Sequence, residues 1–176
     1  GRVSFDLRPG GLRRRHSAVG FTYTFERDTE VSGPMEARLF VSATGTDDPT
    51  IFVGVEKWSA DGPVPFEGSY GYGRDRVAQG RLRVALREVD EVASAPHRPV
   101  HTFRTLQPVR PGEVVPARIA LTSSATVFRA GDSLRLLVAG RYLEPRNPLF
   151  GHFPTHYVPS RRGRLTIYSS PQRPSS

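Results

Sequence analysis

The sequence predicts an all-β fold, a β-sandwich of the jelly-roll type. Three observations support this prediction. The chain of 176 residues contains 17 Gly and 16 Pro, which leave little room for long helices. Hydrophobic residues make up 37% of the chain, with ten Phe and six Tyr, which is enough for one packed core. Several short segments alternate apolar and polar residues with the two-residue period of a strand.

The alternating segments are bounded by turn residues and predict about eight strands, mostly antiparallel, with no amphipathic helix. A turn is predicted at residues 32–34, Ser-Gly-Pro, and a second at Arg129–Asp132, where Gly131 can take a positive φ. A further strand is expected after the Pro-Gly turn at 111–112, with Ala117, Ile119 and Leu121 facing inward. The other predicted strands are 20–26, 35–43, 51–58, 80–88, 133–141 and 164–169.

This pattern predicts a single domain. We expect residues 1–19 to be an N-terminal lead-in, 20–170 to form the sandwich, and 171–176 to be a frayed tail. Residues 89–111 are rich in Pro and His and are expected to form a long connection. Residues 142–160 are predicted to form a proline-rich loop.

The net charge of +8 is almost entirely arginine, because Lys57 is the only lysine. Arginines cluster at 13–15 and 161–164, which would suit an anionic partner. Elsewhere they alternate with acidic and apolar residues, so we interpret them as solvated charge and expect no nucleic-acid partner. No apolar run approaches the length of a membrane helix and no signal peptide is visible. The chain has no Cys, which leaves the compartment open, with the cytoplasm as the working expectation.

Little in the sequence indicates catalysis. The surroundings of Ser69, Glu67-Gly-Ser-Tyr-Gly71, lack the first glycine of a nucleophile elbow and the helix that should follow it. Two His-x-x-x-His pairs, His97/His101 and His152/His156, each contain a proline, which argues against a helical zinc site. Asp47-Asp48 stands in a turn that offers few further oxygen ligands for calcium. We therefore expect no catalytic residue, no cofactor and no metal site.

Six segments, in order, resemble the C-terminal non-catalytic domain of the Xaa-Pro dipeptidyl-peptidase and cocaine-esterase-like acyl hydrolases. The resemblance spans about residues 20–170, although residues 63–79 and the positions of Glu56 and Trp58 depart from the family pattern. The six segments are TEVSGPMEARLFVSA (29–43), GTDDPTIFVGVEKWSADG (45–62), GRLRVALRE (80–88), PVRPGEVVPARIAL (108–121), VFRAGDSLRLLVAG (127–140) and EPRNP (144–148).

The resemblance implies that the domain is a jelly roll like those of galactose-binding domains. It also implies a partner, the α/β-hydrolase domain of the same polypeptide, which carries the family's Ser-Asp-His triad. No triad residue can be placed on this chain. On this hypothesis the chain is an accessory domain that packs on the catalytic domain and shapes its substrate pocket or supports a homo-oligomer. The candidate interface residues lie in the 142–160 loop and are Tyr142, Arg146, Asn147, Phe150, Phe153 and Tyr157.

A carbohydrate-binding module is the alternative, because jelly rolls often bind sugars on exposed aromatic rings. Trp58, Tyr70 and Tyr72 would then form the platform. Trp58 is also a candidate for the core, since it ends an apolar strand. The two hypotheses differ in whether a hydrolase domain accompanies this chain.

Overall fold

The computed structural model describes residues 1–7, 18–67, 74–143 and 162–170. These residues form eleven β-strands and one 3₁₀ turn, Val84–Leu86, with no α-helix among them, which confirms the predicted all-β fold. No helix in this part of the chain is long and apolar enough to cross a membrane. The strands are β1 Arg2–Asp6, β2 Ala18–Thr24, β3 Thr29–Thr44, β4 Thr50–Ser59, β5 Gly62–Val64, β6 Phe66–Glu67, β7 Arg74–Asp75, β8 Ala78–Arg83, β9 Val115–Phe128, β10 Ser133–Ala139 and β11 Arg164–Tyr168.

Two antiparallel sheets face each other as a sandwich. The first sheet has the strand order β1-β11-β3-β9. The second has the order β2-β10-β4-β5, and β8 pairs with the remaining length of β4. The short strands β6 and β7 pair only with each other within the described residues.

The core lies between the sheets and is built from the alternating residues that the sequence predicts. In β9, Ala117, Ile119 and Leu121 are buried, as expected from the two-residue period. The inward-facing residues of β3 and β4 alternate in the same way. The buried hydrophobic residues of these two strands are Ala37, Leu39, Val41, Ala43, Ile51, Val53 and Val55, together with Phe52, which lies on the outer face of β4.

Some predicted boundaries are wrong. The strand predicted at 80–88 ends at Arg83, because Val84 N–H turns to donate to Pro49 O (2.9 Å) and the chain continues as a 3₁₀ turn. The turn predicted at residues 32–34 is part of β3. Gly33 has a φ of 104°, and the pairing with β9 shifts register between Gly33 and Met35, so a β-bulge absorbs the special backbone conformation.

The structure adds one strand at the N-terminus, inside the segment expected to be a lead-in. β1 pairs with β11, and Phe5 and Leu7 are buried in the core. The predicted strand 133–141 ends at Ala139, and Gly140 follows it. A Cβ at Gly140 would lie 2.5 Å from the Cα of Leu7, so glycine permits this close approach of the two backbones.

β2 forms as predicted but contributes less to the core than its pattern suggests. It is an edge strand, and Phe21 and Tyr23 are 42% and 62% exposed. Phe25, just beyond it, is buried. Leu136 of β10 packs against the core as predicted, yet it is only half-buried and lines a cavity of about 330 Å³ with Phe21. The rim of the sandwich is therefore open beside β2.

At one end of the sandwich, two crossovers between the sheets lie side by side. The chain passes from β2 to β3 through Phe25 and Asp28, and from β9 to β10 through the turn Arg129–Asp132. Phe25 N–H donates to Asp132 O (2.9 Å), and Gly131 N–H donates to Phe25 O (2.8 Å). Gly131 has a φ of 89°, as the predicted turn requires. The two crossovers are thus hydrogen-bonded to each other, and we call them the crossover junction.

Charged side chains stabilise the crossover junction. Asp132 accepts a hydrogen bond from Arg129 N–H (2.8 Å) and forms an ion pair with Lys57 Nζ (3.0 Å). These contacts, with the backbone hydrogen bond as the larger cause, lower the pKa of Asp132 below its usual range. The pKa of Asp28 is lowered in the same way, first by Ala130 N–H and then by Arg129. The charged forms of both carboxylates therefore stabilise the folded state.

We predict that Asp132→Asn destabilises the fold in a pH-dependent way. Because the pKa of Asp132 is lower in the folded state, its contribution is present above the ordinary Asp pKa of about 4 and is lost as the pH falls below it. The variant should melt a few degrees lower than the wild type at pH 7. This difference in melting temperature should be smaller at pH 3. Thermal unfolding followed by circular dichroism measures both values.

Asp61→Asn is the matched control, because Asp61 is an exposed carboxylate in the turn after β4. Its melting temperature should follow the wild type at both pH values. If Asp132→Asn lowers the melting temperature equally at pH 7 and pH 3, the charge of Asp132 contributes nothing to stability.

Candidate docking surface

The outer face of the second sheet carries the candidate site. Along β4, Val53 and Val55 point into the core, so Phe52, Gly54, Glu56 and Trp58 point outward. Phe52 is nevertheless only 3% exposed. A large apolar side chain that is buried on an outer face must be covered by another part of the chain.

The covering residues are the first residues of the predicted 142–160 loop. The ring of Tyr142 lies edge-on to that of Phe52, with centroids 6.1 Å apart. Leu143 lies over Gly54, where a Cβ would meet Leu143 Cδ1 at 2.8 Å and Arg76 Cδ at 2.6 Å. Glycine at position 54 therefore makes the space in which the start of the loop rests on the sheet.

Polar contacts of Arg76 hold the start of the loop against β4. Arg76 Nη2 donates to Leu143 O (3.2 Å), and Arg76 Nε lies 3.3 Å from Glu56 Oε1. The Arg76 and Glu56 side chains are only 16% and 21% exposed, so the ion pair is largely shielded from solvent. Because one guanidinium binds both the carboxylate and the carbonyl, β4 fixes where the 142–160 loop leaves the sheet.

Trp58 continues the same row of outward-facing residues. Its indole Nε1 donates to Glu56 Oε2 (3.0 Å), and the guanidinium of Arg135 lies 5.3 Å from its ring centre. Gly20 on β2 leaves room for Arg135, since a Cβ there would lie 2.8 Å from Arg135 Nε. The ring is half-buried and has a cation over its face, so it is not an open platform.

The structure describes two of the nine candidate site residues, Trp58 and Tyr142, and they lie on the same face of the second sheet. The remaining predictions stay untested by geometry. The residues that lie outside the described ranges are Tyr70, Tyr72, Arg146, Asn147, Phe150, Phe153 and Tyr157, as do Ser69, His152 and His156.

Two of the other candidate residues, His101 and Asp48, have structural partners. His101 shares a hydrogen bond through Nε2 with Arg118 O (2.9 Å), and Asp48 Oδ2 lies 2.5 Å from Arg83 Nε. No group of three His, Asp or Glu side chains that could hold a metal ion occurs in the ranges that the structure describes. His101 and Asp48 therefore tie loops to strands.

Sequence reasoning missed Arg76, Arg135 and Leu143. The arginines belong to a chain in which almost every cation is Arg, so nothing distinguished these two from solvated ones. Gly54, in the middle of an otherwise apolar strand, was the available signal for a close approach.

The two packed antiparallel sheets define the chain as a β-sandwich domain. Over residues 7–176 it matches the family described as the X-Pro dipeptidyl-peptidase C-terminal non-catalytic domain. The chain belongs to this family, as the resemblance in the sequence implied.

Similar proteins agree with this assignment. A CocE/NonD family hydrolase from Staphylococcus aureus superimposes with a TM-score of 0.88 at 30% identity, over 99% of this chain and 31% of the hydrolase. Proteins from Mycobacterium bovis and Mycobacterium tuberculosis that bear the name serine esterase are 27% identical over 73% of this chain. The chain spans 20% of the length of these esterases. An α-amino acid ester hydrolase, 19% identical with a TM-score of 0.60, shares the fold.

We predict that Glu56→Ala loosens the outer face. The substitution removes the acceptor of Trp58 Nε1 and the ion-pair partner of Arg76, at a cost of about 1–3 kcal/mol in the free energy of unfolding. Trp58 is the only tryptophan, so its fluorescence reports on this site alone. The emission should shift to longer wavelength and acrylamide should quench it more strongly.

Glu56→Gln is the control, because its amide oxygen can still accept the hydrogen bond from the indole. Its emission should stay near that of the wild type. If Glu56→Ala leaves both the emission and the melting temperature unchanged, Glu56 does not organise this surface.

Proposed function

We propose that this chain is the accessory β-domain of a serine hydrolase of the Xaa-Pro dipeptidyl-peptidase or acyl-esterase type. In this role it packs on an α/β-hydrolase domain of the same polypeptide and shapes the substrate pocket or supports a homo-oligomer. Family membership supports the accessory role, and the names of the similar proteins support the class of reaction.

The anchored start of the 142–160 loop is the observation that carries the proposed docking role. Tyr142 and Leu143 rest on β4 and are fixed there by Arg76 and Glu56. A loop with a fixed starting point loses less conformational entropy when the rest of it docks on a partner. Its sequence adds aromatic and arginine residues of the kind that interface cores favour.

The carbohydrate-binding alternative has weaker support. A sugar would have to stack on the face of Trp58, but the guanidinium of Arg135 lies over that ring and the indole nitrogen is bonded to Glu56. Saturable quenching of Trp58 fluorescence by a saccharide would favour the alternative over the accessory role.

The decisive experiment determines the complete reading frame that encodes this chain and assays the complete polypeptide. We expect an α/β-hydrolase domain and hydrolysis of p-nitrophenyl esters or Xaa-Pro p-nitroanilides. The 176-residue chain alone should be inert, because catalysis of this type needs a nucleophile and a base within hydrogen-bond reach. Turnover by the isolated chain that Ser69→Ala abolishes would contradict the accessory role.

The loop makes a separate prediction. Phe153→Ser with Tyr157→Ser should change the melting temperature of the isolated chain by less than about 2 °C and weaken activity or domain contact in the complete polypeptide. The reason is that rings which anchor an interface contribute little to the domain that carries them. A large loss of stability in the isolated chain would instead assign both rings to its own core.

A further inference from the structure

The long connection that follows the 3₁₀ turn is an ordered projection, which we call the finger and define as residues 88–102. Its two sides are joined by a hydrogen bond from Thr102 N–H to Glu88 O (3.1 Å) and by another from Asp90 N–H to Val100 O (2.8 Å). At its tip, Asp90 Oδ1 accepts hydrogen bonds from the backbone N–H groups of Val92 and Ala93 (3.1 and 3.0 Å). The finger therefore holds its own shape.

The finger is also fixed to the first sheet. His101 shares its hydrogen bond with the Arg118 carbonyl of β9, and the Arg118 side chain lies 2.5 Å from Glu36 and 3.4 Å from Glu91. Burial acts to raise the pKa of Glu36, but the hydrogen bonds from Arg118 and then Arg38 outweigh it and lower the pKa. Glu36 stays charged and keeps Arg118 in place beneath the finger.

The segment that follows the finger, residues 103–106, is exposed and makes few hydrogen bonds. All four residues are exposed, and Phe103 and Leu106 are 65% and 56% exposed. Among the described residues, the backbone groups of this segment make a single hydrogen bond, from Arg104 N–H to Thr102 Oγ1 (3.4 Å). Two large apolar side chains and most of the backbone groups of four residues are thus presented outward.

Phe103 is held in an unfavourable backbone conformation. Its φ is 52°, in the left-handed region that bulky residues avoid. The surroundings must impose this conformation, and the finger on one side and the hydrogen bond from Gln107 N–H to Ala85 O (2.7 Å) on the other do so. The ring of Phe103 contacts that of His101, with centroids 5.7 Å apart, but the side chain is still 65% exposed, so this contact leaves most of the ring uncovered.

We propose that residues 103–106 are a docking segment for the catalytic domain, with Phe103 and Leu106 as its apolar anchors. The inference rests on the proposed function. The Staphylococcus aureus hydrolase matches this chain over 31% of its own length, so more than two thirds of that protein lies outside the matched region and is large enough to cover such a segment. The anchors need an apolar depression on the partner.

Charge specifies the rim of that depression. Arg104 lies between the two anchors in the sequence and is exposed. In the described part of the chain, its guanidinium has no ion-pair partner. The complementary surface is therefore apolar at its centre and acidic at its edge.

Hydrogen–deuterium exchange tests the proposal on the backbone directly. In the isolated chain, amides of residues 103, 105 and 106 should exchange rapidly, because they have no acceptor among the described residues. In the complete polypeptide the same amides should exchange at least about tenfold more slowly. A peptide that covers Val92, which is 98% exposed at the tip of the finger, is the internal control and should exchange equally in both proteins.

Phe103→Asn with Leu106→Ser supplies the matched variant, since Asn tolerates a positive φ and the substitution keeps the backbone preference. The isolated variant should melt within about 2 °C of the wild type. In the complete polypeptide, the double variant should restore rapid exchange at residues 103–106, and calorimetry should show two separate unfolding transitions, one for each domain. Val92→Ser, which removes another exposed apolar side chain, should change neither the exchange rates nor the number of transitions.

The outcomes separate this proposal from the accessory role itself. If the complete polypeptide is a hydrolase that needs this domain, but exchange at 103–106 is the same as in the isolated chain, the accessory role stands and the docking segment is wrong. If protection appears in the isolated chain only as it dimerises in light scattering, the occupant is a second copy and the proposal is overturned. If no hydrolase domain accompanies the chain, both fail.

Discussion

The ion pair between Lys57 and Asp132 closes the sandwich at the point where both crossovers pass between the sheets. Lys57 Nζ also donates to Val127 O (2.7 Å), so one ammonium group joins β4 of the second sheet to the end of β9 in the first. The stacked rings of Phe25 and Phe128, with centroids 4.5 Å apart, lie in the same region. Because the two side chains of the ion pair are only 16% and 11% exposed, this contact is shielded from solvent in a way that surface ion pairs are not.

The end of β4 also carries residues that face the other side of the sheet. Lys57 points toward the junction, while its neighbours Glu56 and Trp58 point outward, as the alternation of a strand requires. The junction fixes β4 against β10, and that register sets Glu56 beside Arg135 and Trp58 beside Ser133.

Local patterning explains which parts of this structure could be predicted from the sequence. The period of two identified the inward residues of β3 and β9 because alternation is a property of a strand alone. It could not find β1, whose partner β11 lies about 160 residues away and whose five residues carry only a weak pattern. Nor could it show that Phe21 and Tyr23 belong to an edge strand, since their exposure depends on which strands of the other sheet lie opposite them. The Arg76–Glu56–Leu143 contact was hidden for the same reason, because it joins three elements that are distant in sequence.

The two surfaces proposed for docking differ in what the domain has already fixed. On the outer face of the second sheet, the first residues of the 142–160 loop are held by hydrogen bonds and by packing over Gly54. At residues 103–106 the backbone is left largely unpaired but is supported on both sides, and strain is concentrated at Phe103. For Tyr142, Leu143 and residues 103–106, the entropy of ordering the backbone is lost when the domain folds, so less of the contact energy is consumed on docking. Under the proposed accessory role, contacts that are ordered before docking hold the neighbouring domain at a defined angle.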